Sequence, residues 1–239
     1  MIQRLKNLFW INRSFKGKIL SALFLLFLFY QFWILLHILL WTVVNPGESA
    51  FMKTRLEHLQ KKDEKAKLRH QWVNYNQISI HLKQAVIAAE DAKFIDHEGF
   101  DWEGIEKAYE KNKRKKKIVA GGSTISQQLA KNLFLSNQKT PWRKAEEAII
   151  TLMLETILDK KRILEIYLNI IEWGNDLYGV EAASKYYFNI HASNLDENQS
   201  AQLAAIIPNP KYYQQHNDGV GLSERKNAIY NRLHETRVP

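Results

Sequence analysis

The sequence predicts a mainly α-helical domain behind one N-terminal membrane-spanning helix. Three observations lead there. Ile19 to Val44 is an apolar run without a charged residue. From Leu82 onward apolar residues recur at helical spacing. Helix-start signals then punctuate the chain: Thr124 with Gln127 three residues on, and Thr140 followed by Pro141. A chain of 239 residues holds one domain with a core and a cleft plus an accessory segment, which excludes two enzymes in tandem.

There is no cysteine, so disulfides, zinc–thiolate sites and thiol nucleophiles are absent. The net charge of +9 raises nucleic acid, anionic lipid or phosphate-bearing substrates as partners, and the location of the charge decides among them. Residues 1–18 carry Arg4, Lys6, Arg13, Lys16 and Lys18 with no acid. The apolar run 19–44 that follows is long enough to cross a hydrocarbon core of roughly 30 Å and too long for the roughly 7–15-residue core of a cleaved signal peptide. It is expected to be a transmembrane helix with the basic leader in the cytoplasm. Tyr30, Trp33 and Trp41 suit such a segment, Gln31 and His37 are tolerated neutral interruptions, and Asn45-Pro46-Gly47 ends the helix on the far side.

Residues 45–71, with the mixed-sign run Gln60–Lys65, read as a juxtamembrane linker or helix, and residues 72–239 as the domain that carries the chemistry. Trp72 to Ile80 has some strand character; helical spacing takes over at Leu82. The apolar run Ala85–Ala89 then leads directly into Glu90 and Asp91. A carboxyl at the edge of packed apolar surface has its pKa raised by desolvation and suits a base. A helix continued through this stretch places Glu90, Phe94 and His97 on one face at i, i+4 and i+7, and Gly99 releases the chain.

Lys111 to Lys117 is the densest charge run, read as a solvated loop, with anionic headgroups as its best functional partner. Placement outside the cytoplasm argues against nucleic acid. Gly121-Gly122-Ser123-Thr124 opens a helix with a capping box, and a glycine-led helix N-terminus with hydroxyls and nearby Lys131 is a site for phosphate. Capping accounts for Thr124 and Gln127 but not for Gln128, Lys131 and Asn132. The helix from Pro141 carries Arg143, Lys144 and Glu147, then so many apolar residues through Leu158 that it is expected to be central and buried. A glutamate entering such a helix needs a partner or a job. An amphipathic helix follows over 160–171, closed by Trp173-Gly174-Asn175-Asp176, and further helices over 182–187 and 199–207, with Pro208-Asn209-Pro210 acting as a hard stop.

Four ordered motifs carry a resemblance: E-D-x-x-F-x-x-H-x-G at Glu90–Gly99, G-G-S-T-I-S-Q-Q-L-A-K-N at Gly121–Asn132, R-K-x-x-E at Arg143–Glu147, and K-x-I-L-E-x-Y-L-N at Lys161–Asn169. Together they resemble the peptidoglycan glycosyltransferases (glycosyltransferase family 51) over roughly Trp72 to Leu233. Tyr178–Phe188 and the P-N-P turn are similar too. Ser126 stands where the family more often has threonine, and the basic run is unusually dense.

The resemblance implies a lysozyme-like, mainly helical fold with a membrane-proximal jaw. The chain resembles monofunctional members in Gram-negative bacteria, which lack a transpeptidase domain and sit in the inner membrane with the catalytic domain in the periplasm. It implies that lipid II supplies a GlcNAc 4-hydroxyl to a growing glycan held on undecaprenyl diphosphate, giving a β-1,4 link with inversion. Glu90 maps onto the general base and Glu147 onto the second catalytic acid. Thr124, Gln128, Lys131, Asn132 and Arg143 map onto donor contacts; Phe94 and His97 shape the cleft, and Asp91, Ser123 and Gln127 join the substrate-binding set. No cofactor is required, although a divalent cation, magnesium or manganese, at the diphosphate is compatible with this chemistry. Metal ligation by His97 with Asp96 or Glu98 has no defensible spacing. Cell-wall synthesis or division proteins are the expected protein partners, in a role affecting cell shape. A lytic enzyme would also use a cleft glutamate but has no need of cations placed for a diphosphate. A catalytically silent membrane-anchored scaffold would not require both glutamates.

Overall fold

The computed structural model describes residues 15–117, 121–217 and 219–239, and these form two compact units, one ending at Val43 and one running Val44–Pro239. Arg4, Lys6 and Arg13 of the basic leader lie outside the described residues. The first unit holds helix α1, Phe15–Leu40, which by length and composition can cross a membrane. It starts before the expected span and stops short of Val44. Thr42 and Val43 make i→i−3 backbone bonds to Leu39 and Leu40, and the Thr42 hydroxyl donates to Leu39 O, so the chain tightens out of the helix.

The second unit begins with α2 (Ala50–Gln60), capped by the Ser49 hydroxyl, which accepts the Met52 N–H at 3.2 Å. The segment read as a linker therefore contains a helix and a strand that pack within this unit. Strand β1 (Arg69–His70) lies parallel to β3 (Leu177–Tyr178), with Arg69 opposite Leu177, and β3 is antiparallel to β2 (Glu172–Gly174). The tight β2–β3 connection places Asp176 in left-handed backbone, φ 59°, a conformation Asp tolerates, and Arg55 of α2 pairs with its carboxylate at 2.5 Å. The W-G-N-D segment thus makes a hairpin. Gly179 at φ 77° follows, and a Cβ there would lie 2.6 Å from Asn169 O, so only glycine fits.

Trp72 to Ile80 is not a strand. Its backbone is satisfied by side chains instead of a ladder: Asn169 accepts the Val73 N–H and donates to Val73 O, and Glu165 accepts the Tyr75 N–H, around a 3₁₀ turn at Tyr75–Gln77.

Helices α3 (Ile80–Glu90), α4 (Trp102–Lys115), α5 (Ile125–Phe134), α6 (Pro141–Ile157) and α7 (Lys160–Ile170) follow, then α8 (Val180–Phe188), α9 (Glu197–Ile206), α10 (Pro210–Gln215) and α11 (Val220–Tyr230). Pro208-Asn209-Pro210 ends α9, but Pro210 also starts α10, as a residue with no N–H to lose can. The core forms where α9 packs on α3 and α11, and where α5 packs on α6 and α7.

Which helix is central differs from expectation. In α6 only one face is buried, through Glu147, Ile150, Thr151 and Leu154, while Leu152 is 54 % exposed and Trp142 69 %. The buried helix is α7, in which every residue from Ile163 to Ile170 is inside, Glu165 and Asn169 included. Those two polar residues are tolerated because they bond the irregular Trp72–Ile80 backbone.

Candidate active site

Glu90 is the last residue of α3 and Asp91 leaves helical space at φ −162°, so the helix does not continue to His97. Asp91 causes the break by serving two other elements: one oxygen lies 2.9 Å from His97 Nε2, and the other accepts the Ile125 N–H at 3.0 Å. The latter is one of the orphan donors at the start of α5. His97 Nδ1 accepts the Gly99 N–H at 3.1 Å, which leaves the proton on Nε2 to donate to Asp91. Glu90, Asp91 and His97 are thus placed by a turn, and Phe94, 0 % exposed, is packed inside it and not along a shared helical face.

Both oxygens of Glu90 are engaged. Gln128 Nε2 donates to Oε2 at 2.9 Å and Arg225 Nη2 donates to Oε1 at 3.1 Å. Tyr167 O–H donates to Gln128 Oε1 at 2.9 Å, which orients the amide with its N–H toward Glu90. Burial, then the nearby Glu90 charge, pushes the Tyr167 phenol well above its ordinary pKa, so it remains a donor. Burial also raises the Glu90 pKa, against the opposing effects of the Gln128 and Arg225 hydrogen bonds and the Arg225 charge. The carboxyl is a stronger base than an exposed glutamate.

Glu147 is the second buried acid, its side chain 3 % exposed between Arg143, at 2.5 Å, and Lys144. Thr140 caps this end of α6 by accepting the Arg143 N–H, with Pro141 at the first helical position. Lys144 Nζ also lies 3.4 Å from Ser123 Oγ. Lys131 of α5 feels the Glu147 charge, and burial lowers its pKa from the ordinary lysine value. Gln128 and Lys131 stand three apart on one face of α5, so a single helix addresses both acids. A cavity of about 240 Å³ opens beside Glu90 and Asp91 and reaches Ser123, Thr124, Asp101 and Arg232.

The transglycosylase family matches residues 55–234. The chain belongs to that family. It is 60 % identical over 222 residues to a protein of Chromobacterium violaceum named biosynthetic peptidoglycan transglycosylase, covering 93 % of this chain and 97 % of that one. Proteins of the same name from Methylobacillus flagellatus and Nitrosospira multiformis are 57 % identical over 235 residues and 56 % over 210, covering 98 % and 88 % of this chain and 100 % and 91 % of their own. Transglycosylases of this family are glycosyltransferases, and the chain has their lysozyme-like, mainly helical fold.

In this transglycosylase the residues singled out by motif separate into two kinds. Glu90, Gln128, Lys131, Arg143, Glu147 and Ser123 border or address the site. Gln127 and Thr124 close their capping box, and Thr124 Oγ1 further donates to Gly99 O at 2.7 Å, so both are 2–3 % exposed and hold the loop in shape, with Thr124 also bordering the cavity. Asn132 turns back to Gln128 O at 2.8 Å. Sequence reasoning missed Arg225, Tyr167, Arg232 and the role of Lys144. Lys144, at i−3 from Glu147, carried a local signal, and Tyr167 stood inside the fourth motif; Arg225 and Arg232 carried none. Among the described residues no His, Asp and Glu side chains cluster as a metal site.

Proposed function

We propose that this transglycosylase polymerises peptidoglycan glycan strands, transferring the growing chain from undecaprenyl diphosphate to the GlcNAc 4-hydroxyl of lipid II with inversion, at the outer face of a bacterial inner membrane. One observation carries the reading: the desolvated base Glu90 and the cation-flanked acid Glu147 are served by Gln128 and Lys131 of the same helix. A hydrolase acting on finished glycan has a use for the first group and none for Lys131, Arg143 and Lys144. The names of the relatives support synthesis as well.

In this reading the acceptor oxygen bonds to the donor anomeric carbon while the anomeric bond to the diphosphate breaks. Glu90 takes the hydroxyl proton, and the diphosphate leaves with the bonding electrons. Lys131, Arg143 and Lys144 offset the charge that grows on it. Glu147 keeps Arg143 and Lys144 in place between turnovers. Its oxygens are already met by these two cations, so a divalent ion joining the diphosphate would be held chiefly by phosphate oxygens. Helix α1, about 39 Å long at 1.5 Å per residue, keeps the enzyme in the bilayer of its lipid-linked substrates. Cell-wall synthesis proteins are its expected partners.

Purified full-length protein incubated with labelled lipid II is expected to yield glycan polymer and undecaprenyl diphosphate. Cleavage of preformed glycan without polymer would assign the lytic reaction instead, and no product with either would leave a scaffold.

A further inference from the structure

One member of the fourth motif is left over by the fold. Glu165 and Asn169 stand four apart on one side of α7 and hold the backbone of the Trp72–Ile80 segment, whereas Tyr167, two positions from each, turns to the other side. Its side chain is fully buried, and its hydroxyl meets Gln128 of α5, which in turn meets Glu90 at the end of α3. A single line of hydrogen bonds therefore joins three helices and stops at the base.

While Glu90 is charged the line can run in one sense only. A carboxylate has no proton to give, so the amide turns an N–H toward it and leaves Oε1 for the Tyr167 O–H. A protonated Glu90 makes the opposite demand: its O–H suits the amide oxygen, which would need the amide to rotate by half a turn. The rotated amide would present an N–H to Tyr167, and the phenol proton, which has no other acceptor among the described residues, would be left buried without a partner. Tyr167 thus disfavours the protonated form of Glu90 without touching it.

The charged groups that face Glu90 act separately. Arg225 of α11 lowers its pKa, the adjacent Asp91, itself met by His97, raises it, and Lys131 of α5 feels its charge. Asp101 and Arg232 line the same cavity, and α9, packed on α3, brings Glu197, which pairs with His81 near the other end of that helix. All of these remain when only the Tyr167 hydroxyl is removed. Burial holds the phenol well above its ordinary pKa, so it stays a donor.

We propose that Tyr167 is a positioning residue for the reaction: by fixing the polarity of the Gln128 amide it keeps Glu90 ionised down to lower pH and favours release of the proton that Glu90 takes up in each turnover. The proposal deepens the reading of Glu90 as the base and rests on it. The working pH range is then set from the buried centre of the domain, by a residue that the substrates do not reach.

Tyr167→Phe keeps the ring and removes the donor. With the full-length protein and labelled lipid II, the acid limb of kcat/KM is expected to move up by on the order of one pH unit, the size of a hydrogen bond to a charged group. The sign follows from the role: without the hydroxyl the protonated carboxyl is no longer disfavoured, its pKa rises, and the ionised base is lost at higher pH. On the alkaline plateau Glu90 is charged in either protein, so the rate there should change little. A lowered plateau with the limb unmoved would overturn the proposal and leave Tyr167 a packing residue.

A second measurement needs no turnover. With glutamine labelled by nitrogen-15, the side-chain amide of Gln128, identified by its loss in Gln128→Ala, should titrate with Glu90, and Tyr167→Phe should carry that midpoint up by the same amount. Replacing the tyrosines by 3-fluorotyrosine, a stronger donor that preserves the ring, should carry it down, and this arm stands even where Tyr167→Phe does not fold. A Gln128 signal that does not titrate, or a midpoint that neither change moves, would overturn the proposal. Protein that yields no polymer but shows the displaced midpoints would sink the proposed reaction and leave the link from Tyr167 to Glu90 standing.

Discussion

Arg225 and Glu90 are 135 positions apart in sequence and meet side chain to side chain, the guanidinium donating to a Glu90 oxygen at 3.1 Å. A cation beside a base has opposing consequences. It helps keep the carboxylate charged and in place, and it weakens the base by lowering a pKa that burial raises.

Removing that cation should move the pH profile. Glu90 acts as a base only when deprotonated, so activity is lost as pH falls through its raised pKa. Arg225→Gln removes an interaction that lowers this pKa while burial persists, so the pKa rises further and the acid limb of kcat/KM shifts to higher pH. A limb left where it was, with only the maximum reduced, would show that Arg225 positions the carboxylate without tuning it.

Glu90→Gln keeps the side chain's size but cannot accept a proton. Turnover should fall on the order of a hundred- to ten-thousand-fold, with little change in affinity for a diphosphate-bearing inhibitor. Near-normal polymerisation by this variant would remove Glu90 from the base role.

Glu147→Gln should differ in kind. It leaves Arg143 and Lys144 without their shared counter-ion, so inhibitor affinity should change together with turnover. Direct binding measured on both glutamine variants separates the two roles, and identical behaviour would contradict the division of labour.

Glu155 joins four elements. It accepts from the Ser126 hydroxyl and pairs with Lys160 at 2.7 Å; Lys160 in turn sits 4.6 Å over the Phe94 ring, and Gly99, at φ 87°, packs on the Glu155 side chain. Removing one partner of a buried pair costs on the order of 3 kcal/mol, so Glu155→Ala should lower the melting temperature by several degrees. An unchanged melting temperature would mean that the junction is held by packing alone.

The positive leader and apolar α1 predict that the C-terminal end faces away from the cytoplasm. A reporter active only outside the cytoplasm, fused after Pro239, should be active, and an inactive but intact fusion would reverse the orientation.

The elements legible in the sequence were those written in local chemistry. The Thr124–Gln127 capping box, the Thr140–Pro141 start of α6 and the apolar approach to Glu90 depend on neighbours within four positions, and the structure keeps all three. Ser126 illustrates the limit: its hydroxyl was visible, but its acceptor, Glu155, lies 29 positions away. The strand expected at Trp72–Ile80 failed because its backbone partners are Glu165 and Asn169, some 90 positions further on.

By itself the sequence determined which residues carry charge, where helices start, and that a glutamate follows a run of core residues. Tertiary structure decided that α7 and not α6 is the buried centre, that the turn after Glu90 is held by Asp91, and that Tyr167 and Arg225 converge on the base. The reason is physical. Capping and periodicity are set by hydrogen bonds and side-chain directions within a turn or two, whereas desolvation and ion pairing belong to whatever the folded chain brings within a few ångströms.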